Sequence, residues 1–157
     1  MKVIFLDVDG VMISEESFLL TMALGGRVVI FSRKALKALK NIVQRTGAVV
    51  VLTSSWRPMP NYGPTRSYQQ FCSALQRNGT PLHDCTPWLE DREHDRSDEI
   101  CAWLAEHEVE SYVLIDDNDR FRNHPELKER WIPIDAAHGL NKSHVDRAVE
   151  LLQNLYA

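Results

Sequence analysis

The chain has 157 residues, with 44% hydrophobic and 25% charged side chains and a formal net charge of -4. That length and composition describe one globular domain, residues 1–157, able to bury a core without disulfides or a structural metal, and they exclude a disordered chain. No apolar run approaches the ~18 residues of a membrane span, and Asp7 and Asp9 interrupt the first apolar segment, unlike a signal peptide.

Short apolar runs alternate with amphipathic stretches, which predicts an α/β fold with a mostly parallel central sheet. Residues 2–8 (KVIFLDV) read as a buried strand ending in carboxylates. Residues 18–24 and 27–31 read as two short strands around the turn signal Gly25-Gly26, a β-hairpin. Ser32 is placed to cap a helix running to Arg45, with Leu36, Leu39, Ile42 and Val43 as its buried stripe and Gly47 as its stop. Residues 48–52 form the second central strand, which runs into Thr53-Ser54-Ser55-Trp56-Arg57. A Pro/Gly-rich loop over 58–64 leads to a helix over 67–77 and an edge strand near 82–85. A helix over 97–107, a strand over 111–115 ending in Asp116-Asp117, a short strand over 131–134 and a helix over 141–156 complete the chain.

Ten Lys/Arg face four Asp/Glu in residues 1–80, and eight face eighteen in residues 81–157. The basic first half is compatible with contact to a phosphate backbone. Cys72, Cys85 and Cys101 lack metal-ligand spacing and suit a reducing, cytoplasmic setting, without membrane attachment.

Three strands end in polar groups: Asp7-Val8-Asp9-Gly10, Thr53-Ser54 and Asp116-Asp117-Asn118-Asp119. In an open parallel sheet these ends converge on one crevice. Carboxylates gathered there repel one another and resist desolvation, and a divalent cation resolves the conflict. An all-oxygen ligand set points to Mg²⁺. Within Asp-x-Asp, one carboxylate suits attack on phosphorus and the other suits general acid/base work, while a Thr hydroxyl binds a phosphoryl oxygen. Arg57 is placed for phosphate binding or for a salt bridge beside the site. Trp56 serves packing or stacks on a nucleobase, and His83 and His94 read as surface residues near the cleft.

FLDVDGV, VVVLTSSWR and YVLIDDND resemble the first, second and fourth motifs of the haloacid dehalogenase (HAD) superfamily of aspartyl-phosphate phosphatases. More narrowly, Ser55-Trp56-Arg57, Arg96 before EICAWL, and Gly139-Leu140 resemble the small HAD domain of Swiss Army Knife RNA-repair proteins. The resemblance implies a Rossmannoid three-layer sandwich whose only cap is the β-hairpin flap. It implies Asp7 as nucleophile and metal ligand, and Asp9 as general acid/base with its backbone carbonyl on the metal. Thr53 would bind phosphate, with Ser54 as alternate and Gly10 and Arg57 alongside. Asp117 would complete the Mg²⁺ site, with Asp116 close behind. The third motif is usually a Lys; here Arg96 takes the position, with Arg92 as rival, and Asp119 serves as an outer partner or a helix cap.

A minimal cap leaves an open cleft, which suits a phosphate on a large substrate. The expected function is a Mg²⁺-dependent phosphomonoester hydrolase acting through an aspartyl phosphate on RNA or DNA ends. The alternatives are a small-molecule phosphatase such as a nucleotidase, or a non-catalytic HAD-fold binding module.

Overall fold

A computed structural model describes residues 1–90 and 93–154. Five strands form one sheet: β1 (Lys2–Leu6), β2 (Val49–Leu52), β3 (Leu82–Cys85), β4 (Ser111–Asp116) and β5 (Trp131–Pro133). Their order is β3-β2-β1-β4-β5, and every pairing is parallel. Central strands of such a sheet are apolar on both faces. β1 shows how that works: Ile4 and Leu6 join one core cluster, Val3 and Phe5 the other.

The described residues form five helices, α1 (Glu15–Ala23), α2 (Arg33–Thr46), α3 (Arg66–Asn78), α4 (Arg96–Ala105) and α5 (Lys142–Gln153), of which α2 to α5 contribute to the sheet's core clusters. The Ile4/Leu6 face packs on Leu39 and Ile42 of α2, Phe71 and Leu75 of α3, and Val145, Val149 and Leu152 of α5. The Val3/Phe5 face packs on Ile100 and Trp103 of α4, with Phe121 and Leu127. Phe5 meets Trp103 edge to face at 5.4 Å between ring centroids. The result is a three-layer α/β sandwich. Each fully buried Leu, Ile or Phe contributes about 1.5–3 kcal/mol, so the two clusters can hold a cluster of buried charges at the strand ends.

Ser32 caps α2 through Ala35 N–H, and Gly47 closes it in the left-handed region at φ 69°, as expected. The Pro/Gly loop, α3, the edge strand, α4 and β4 fall near their predicted positions. The final helix begins after Asn141 and ends at Gln153, with Asn154 extended as its C-cap, short of the expected Tyr156; residues 155–157 lie outside the described residues.

The β-hairpin flap is a correction. Residues 15–23 form α1 and residues 27–31 form no strand. Ser14 and Ser17 make a reciprocal capping box, and Glu15 and Glu16 sit in the first turn, where the helix dipole favours acids. Leu, Met and Ala supply strong helix formers in a run that lacks β-branched residues apart from Thr21. The backbone of the would-be second strand bonds side chains instead: Val29 N–H donates to Gln70 Oε1 at 2.7 Å and Ile30 N–H to Thr21 Oγ1 at 2.8 Å. The sequence reading also lacked the 3-10 helix Pro125–Arg130 ahead of β5.

The sheet order reverses direction between β1 and β4. The chain builds outward from β1 to β3, then returns to place β4 on the other side of β1. That switch point opens a crevice at the carboxyl ends of the strands.

Candidate active site

Strand register assembles the site. Leu6 pairs with Leu52 on one side and Ile115 on the other, so the next residues, Asp7, Thr53 and Asp116, meet across the crevice. Asp7 N–H donates to Ile115 O, and Thr53 N–H to Leu6 O, each at 3.0 Å, which carries the ladder one residue past β1. All three side chains are buried, Asp7 and Asp116 at 3% exposure each.

Arg96, the first residue of α4, reaches the same point. Its Nη1 lies 3.2 Å from Asp7 Oδ1, 3.2 Å from Asp116 Oδ2 and 3.5 Å from Thr53 Oγ1. One guanidinium thus bridges two carboxylates that would otherwise repel. Asp95 caps α4 and accepts from Ser97 N–H, which fixes where Arg96 enters the site. The rival for this position, Arg92, lies outside the described residues.

Asp7, Asp116 and Asp117 each offer a carboxylate oxygen, all within 4.8 Å of one another. Burial and the neighbouring Asp7 charge push the Asp116 carboxyl up to about 7. The same two causes raise Asp117. Three hard oxygen donors crowded into one corner fit a divalent cation, which would remove the repulsion behind the Asp116 and Asp117 shifts. Gly10 keeps this corner open. Its φ is 75°, and a Cβ there would run into the Asp117 carboxylate, with Cγ at 2.8 Å.

Asp9 is exposed beside this group. Its Oδ2 accepts from Trp56 Nε1 at 3.0 Å. Partial burial raises its pKa, the Trp56 hydrogen bond opposes that rise, and Asp7 adds to it. Trp56 itself packs against Phe31 and Phe71, with centroids 6.1 and 6.5 Å away. Its place is therefore structural packing plus a hydrogen bond on Asp9, which the sequence reading did not foresee. Asp9 and Trp56 are far apart in sequence, and no local pattern couples them.

Thr53 rather than Ser54 brings its hydroxyl to the Arg96 guanidinium. Ser54 Oγ accepts from Trp56 N–H at 3.2 Å, within the turn after β2. Arg57 takes the salt-bridge alternative. Its Nη2 lies 2.9 Å from Glu99 Oε2, with both side chains almost wholly buried. Nε donates to Ser54 O at 2.8 Å, and Nη1 to Thr86 Oγ1 at 2.6 Å and Pro87 O at 3.0 Å. Those bonds tie the loop after β2 to α4. His94 also reaches Glu99, at 3.3 Å, and His83 is exposed on β3. Asp119 pairs with Lys128 Nζ at 2.5 Å, outside the carboxylate group.

A cleft of about 460 Å³ adjoins Arg96 and is lined in part by Ser55, Trp88, Arg120 and Arg122. The sequence reading passed over Arg120 and Arg122, although both follow directly on the fourth acidic motif. Among the described residues no helix is long and apolar enough to cross a membrane.

Residues 3–145 match the family model described as the HAD domain in Swiss Army Knife RNA repair proteins. No curated protein and no solved structure matches the chain. The match spans most of the sequence and includes all three strand ends that build the carboxylate site, so the chain belongs to this family of HAD domains.

Proposed function

We propose that the protein is a Mg²⁺-dependent phosphomonoester hydrolase that works through an aspartyl phosphate on Asp7, with phosphorylated nucleic acid ends as its substrates. The observation that carries this reading is the meeting of Asp7, Thr53, Arg96 and Asp116 at the switch point, with Asp117 beside them. Membership in a HAD family supports phosphatase-type chemistry with a divalent metal, and the RNA-repair context of that family supports the substrate.

Asp7, Asp116 and Asp117 would hold the metal. A bound divalent cation supplies charge neutralisation for the carboxylates and for the phosphoryl oxygens. Arg96 keeps Asp7 oriented and offsets its charge next to Asp116. An Asp7 oxygen attacks phosphorus in line, forming an acyl phosphate bond as the ester P–O bond breaks. Thr53 Oγ1 donates to a phosphoryl oxygen. Asp9, whose raised pKa favours the protonated form, gives its proton to the leaving oxygen. It then takes a proton from the water that hydrolyses the acyl phosphate, releasing inorganic phosphate and restoring Asp7.

Asp7→Asn keeps the shape and removes the nucleophile. The expected result is a loss of about 10³-fold or more in Mg²⁺-dependent phosphate release from a terminally phosphorylated oligonucleotide. Retention of wild-type turnover overturns the covalent mechanism. A strong preference for mononucleotides over oligonucleotides in the wild type overturns the substrate reading and favours a nucleotidase.

A further inference from the structure

The cleft beside Arg96 carries an unbalanced charge. Its acidic members are all engaged. Glu99 pairs with Arg57 and His94. Asp119 pairs with Lys128. Asp95 caps α4 and accepts from Arg122 N–H at 2.7 Å and Asn123 N–H at 3.1 Å. Arg96 is spent on Asp7 and Asp116, and Arg57 on Glu99. Arg120 and Arg122 remain. Both are exposed, both line the cleft, and neither side chain makes a hydrogen bond or a close ion pair among the described residues, although the Arg120 charge is felt at Asp9, Asp116 and Asp117.

The segment that carries them is built to hold them there. Phe121, between the two arginines, is fully buried and packs edge to face on Trp131 at 5.6 Å. With residue 121 turned into the core, its two neighbours are left on the solvent side, at the cleft wall. Asp95 pins the backbone just after, at residues 122 and 123, and the Asp119–Lys128 pair pins the side chain just before. One carboxylate, Asp95, therefore ties the Arg120/Arg122 segment to the first turn of α4, where Arg96 enters the site.

We infer that Arg120 and Arg122 form a second phosphate subsite, which engages a phosphate of the substrate next to the one being removed. Two exposed guanidinium groups on the wall of an open cleft are suited to a phosphate oxygen pair, which arginine binds through parallel N–H donors. The inference rests on the phosphatase reading for what happens at Asp7, but the subsite itself is a binding claim. A second phosphate comes either from a phosphodiester of a nucleic acid strand or from a small nucleotide with two separate phosphates. Both present the same chemistry to the two arginines, and the two sources are separable by experiment.

The test compares the full-length wild type with Arg120→Gln and Arg122→Gln in the presence of Mg²⁺. The substrates are 3′- and 5′-phosphorylated oligonucleotides, a nucleoside 3′,5′-bisphosphate, the corresponding monophosphates and an aryl phosphate. The wild type is expected to show a kcat/KM at least about tenfold higher on its preferred two-phosphate substrate than on the monophosphate. Each substitution is expected to cost at least about fivefold more on that substrate than on the aryl phosphate, mainly through KM. A strand far better than the bisphosphate assigns the second phosphate to a phosphodiester; equal use assigns it to a small nucleotide. Equal use of one-phosphate and two-phosphate substrates overturns the proposal, as does the same loss on every substrate. Binding of a labelled, terminally phosphorylated oligonucleotide, followed by anisotropy with bisphosphate as competitor, needs no turnover. If none of these substrates is hydrolysed, the phosphatase reading fails. The subsite then stands if both substitutions weaken binding at least about fivefold, and falls if they do not.

Discussion

Asp116 has its carboxyl pushed up to about 7 by burial and by the charge on Asp7. In the metal-free protein it therefore keeps a proton over a pH window, from about 4 to about 7, in which the unfolded chain has lost it. Stability from this group is present at the low end of that window and lost as pH rises through it. The metal-free wild type should lose melting temperature relative to Asp116→Asn between about pH 5 and about pH 8, and Mg²⁺ should remove that difference. A gap between the two proteins that does not change with pH contradicts the assignment. Trp56 offers a second test at this scale, because its indole N–H holds Asp9 while its ring packs on Phe31 and Phe71. Trp56→Phe keeps the packing and removes the donor, so the Asp9 pKa should rise further. The limb of the kcat profile governed by Asp9 should move to higher pH, with a drop in kcat of about tenfold. An unchanged pH profile means that Asp9 is not held by this bond.

The loop after β2 and helix α4 are joined by Arg57 and Glu99, both almost completely buried. Removing one partner leaves the other charged and without a counterion in the interior. Glu99→Ala should therefore cost about 3–5 kcal/mol of unfolding free energy, read by urea titration, whereas replacement of an exposed acid such as Glu106 should cost under ~0.5 kcal/mol. Equal and small losses would mean that the pair is solvated. The same pair shows where sequence reading stops. SSWR after a strand, and an Arg before EICAWL, were visible as motifs, but whether Arg57 faced a phosphate or a carboxylate depended on α4 folding back over the loop. The α1 segment shows a different limit. Phe18, Leu19, Leu20, Met22 and Leu24 are exposed apolar residues that fit neither a one-faced helix nor a strand. A hydrophobic pattern with no buried face carries no periodicity to read. The deciding signal was the Ser14/Ser17 cap with Glu15 and Glu16 behind it.

At the level of the whole molecule, the sheet order does most of the positioning. Asp7, Thr53 and Asp116 lie far apart in sequence and meet only because β1 pairs in register with both β2 and β4. That much was legible, since three apolar runs ended in chemically capable residues and parallel strands bring such ends together. The partners that tune the site were not legible. Trp56 on Asp9, and the placing of Arg120 and Arg122 on the cleft wall, depend on tertiary approach. The carboxylate group also couples the site to global stability. Binding of a divalent cation to the native state alone adds RT ln(1 + [L]/Kd), about 2.7 kcal/mol at a hundredfold excess over Kd. Millimolar Mg²⁺ should therefore raise the melting temperature of the wild type and leave Asp7→Asn nearly unmoved. Equal shifts in both proteins would place the ion elsewhere.

The most direct test of the central claim is to catch the covalent intermediate. Wild type and Asp7→Asn are mixed with Mg²⁺ and a terminally phosphorylated oligonucleotide, quenched in acid during turnover and digested for mass spectrometry. One added phosphoryl group is expected on the wild-type peptide that contains Asp7, and none on the variant. Steady phosphate release by the wild type with the phosphoryl group on a different residue, or with the same label on the Asp7→Asn protein, would contradict it.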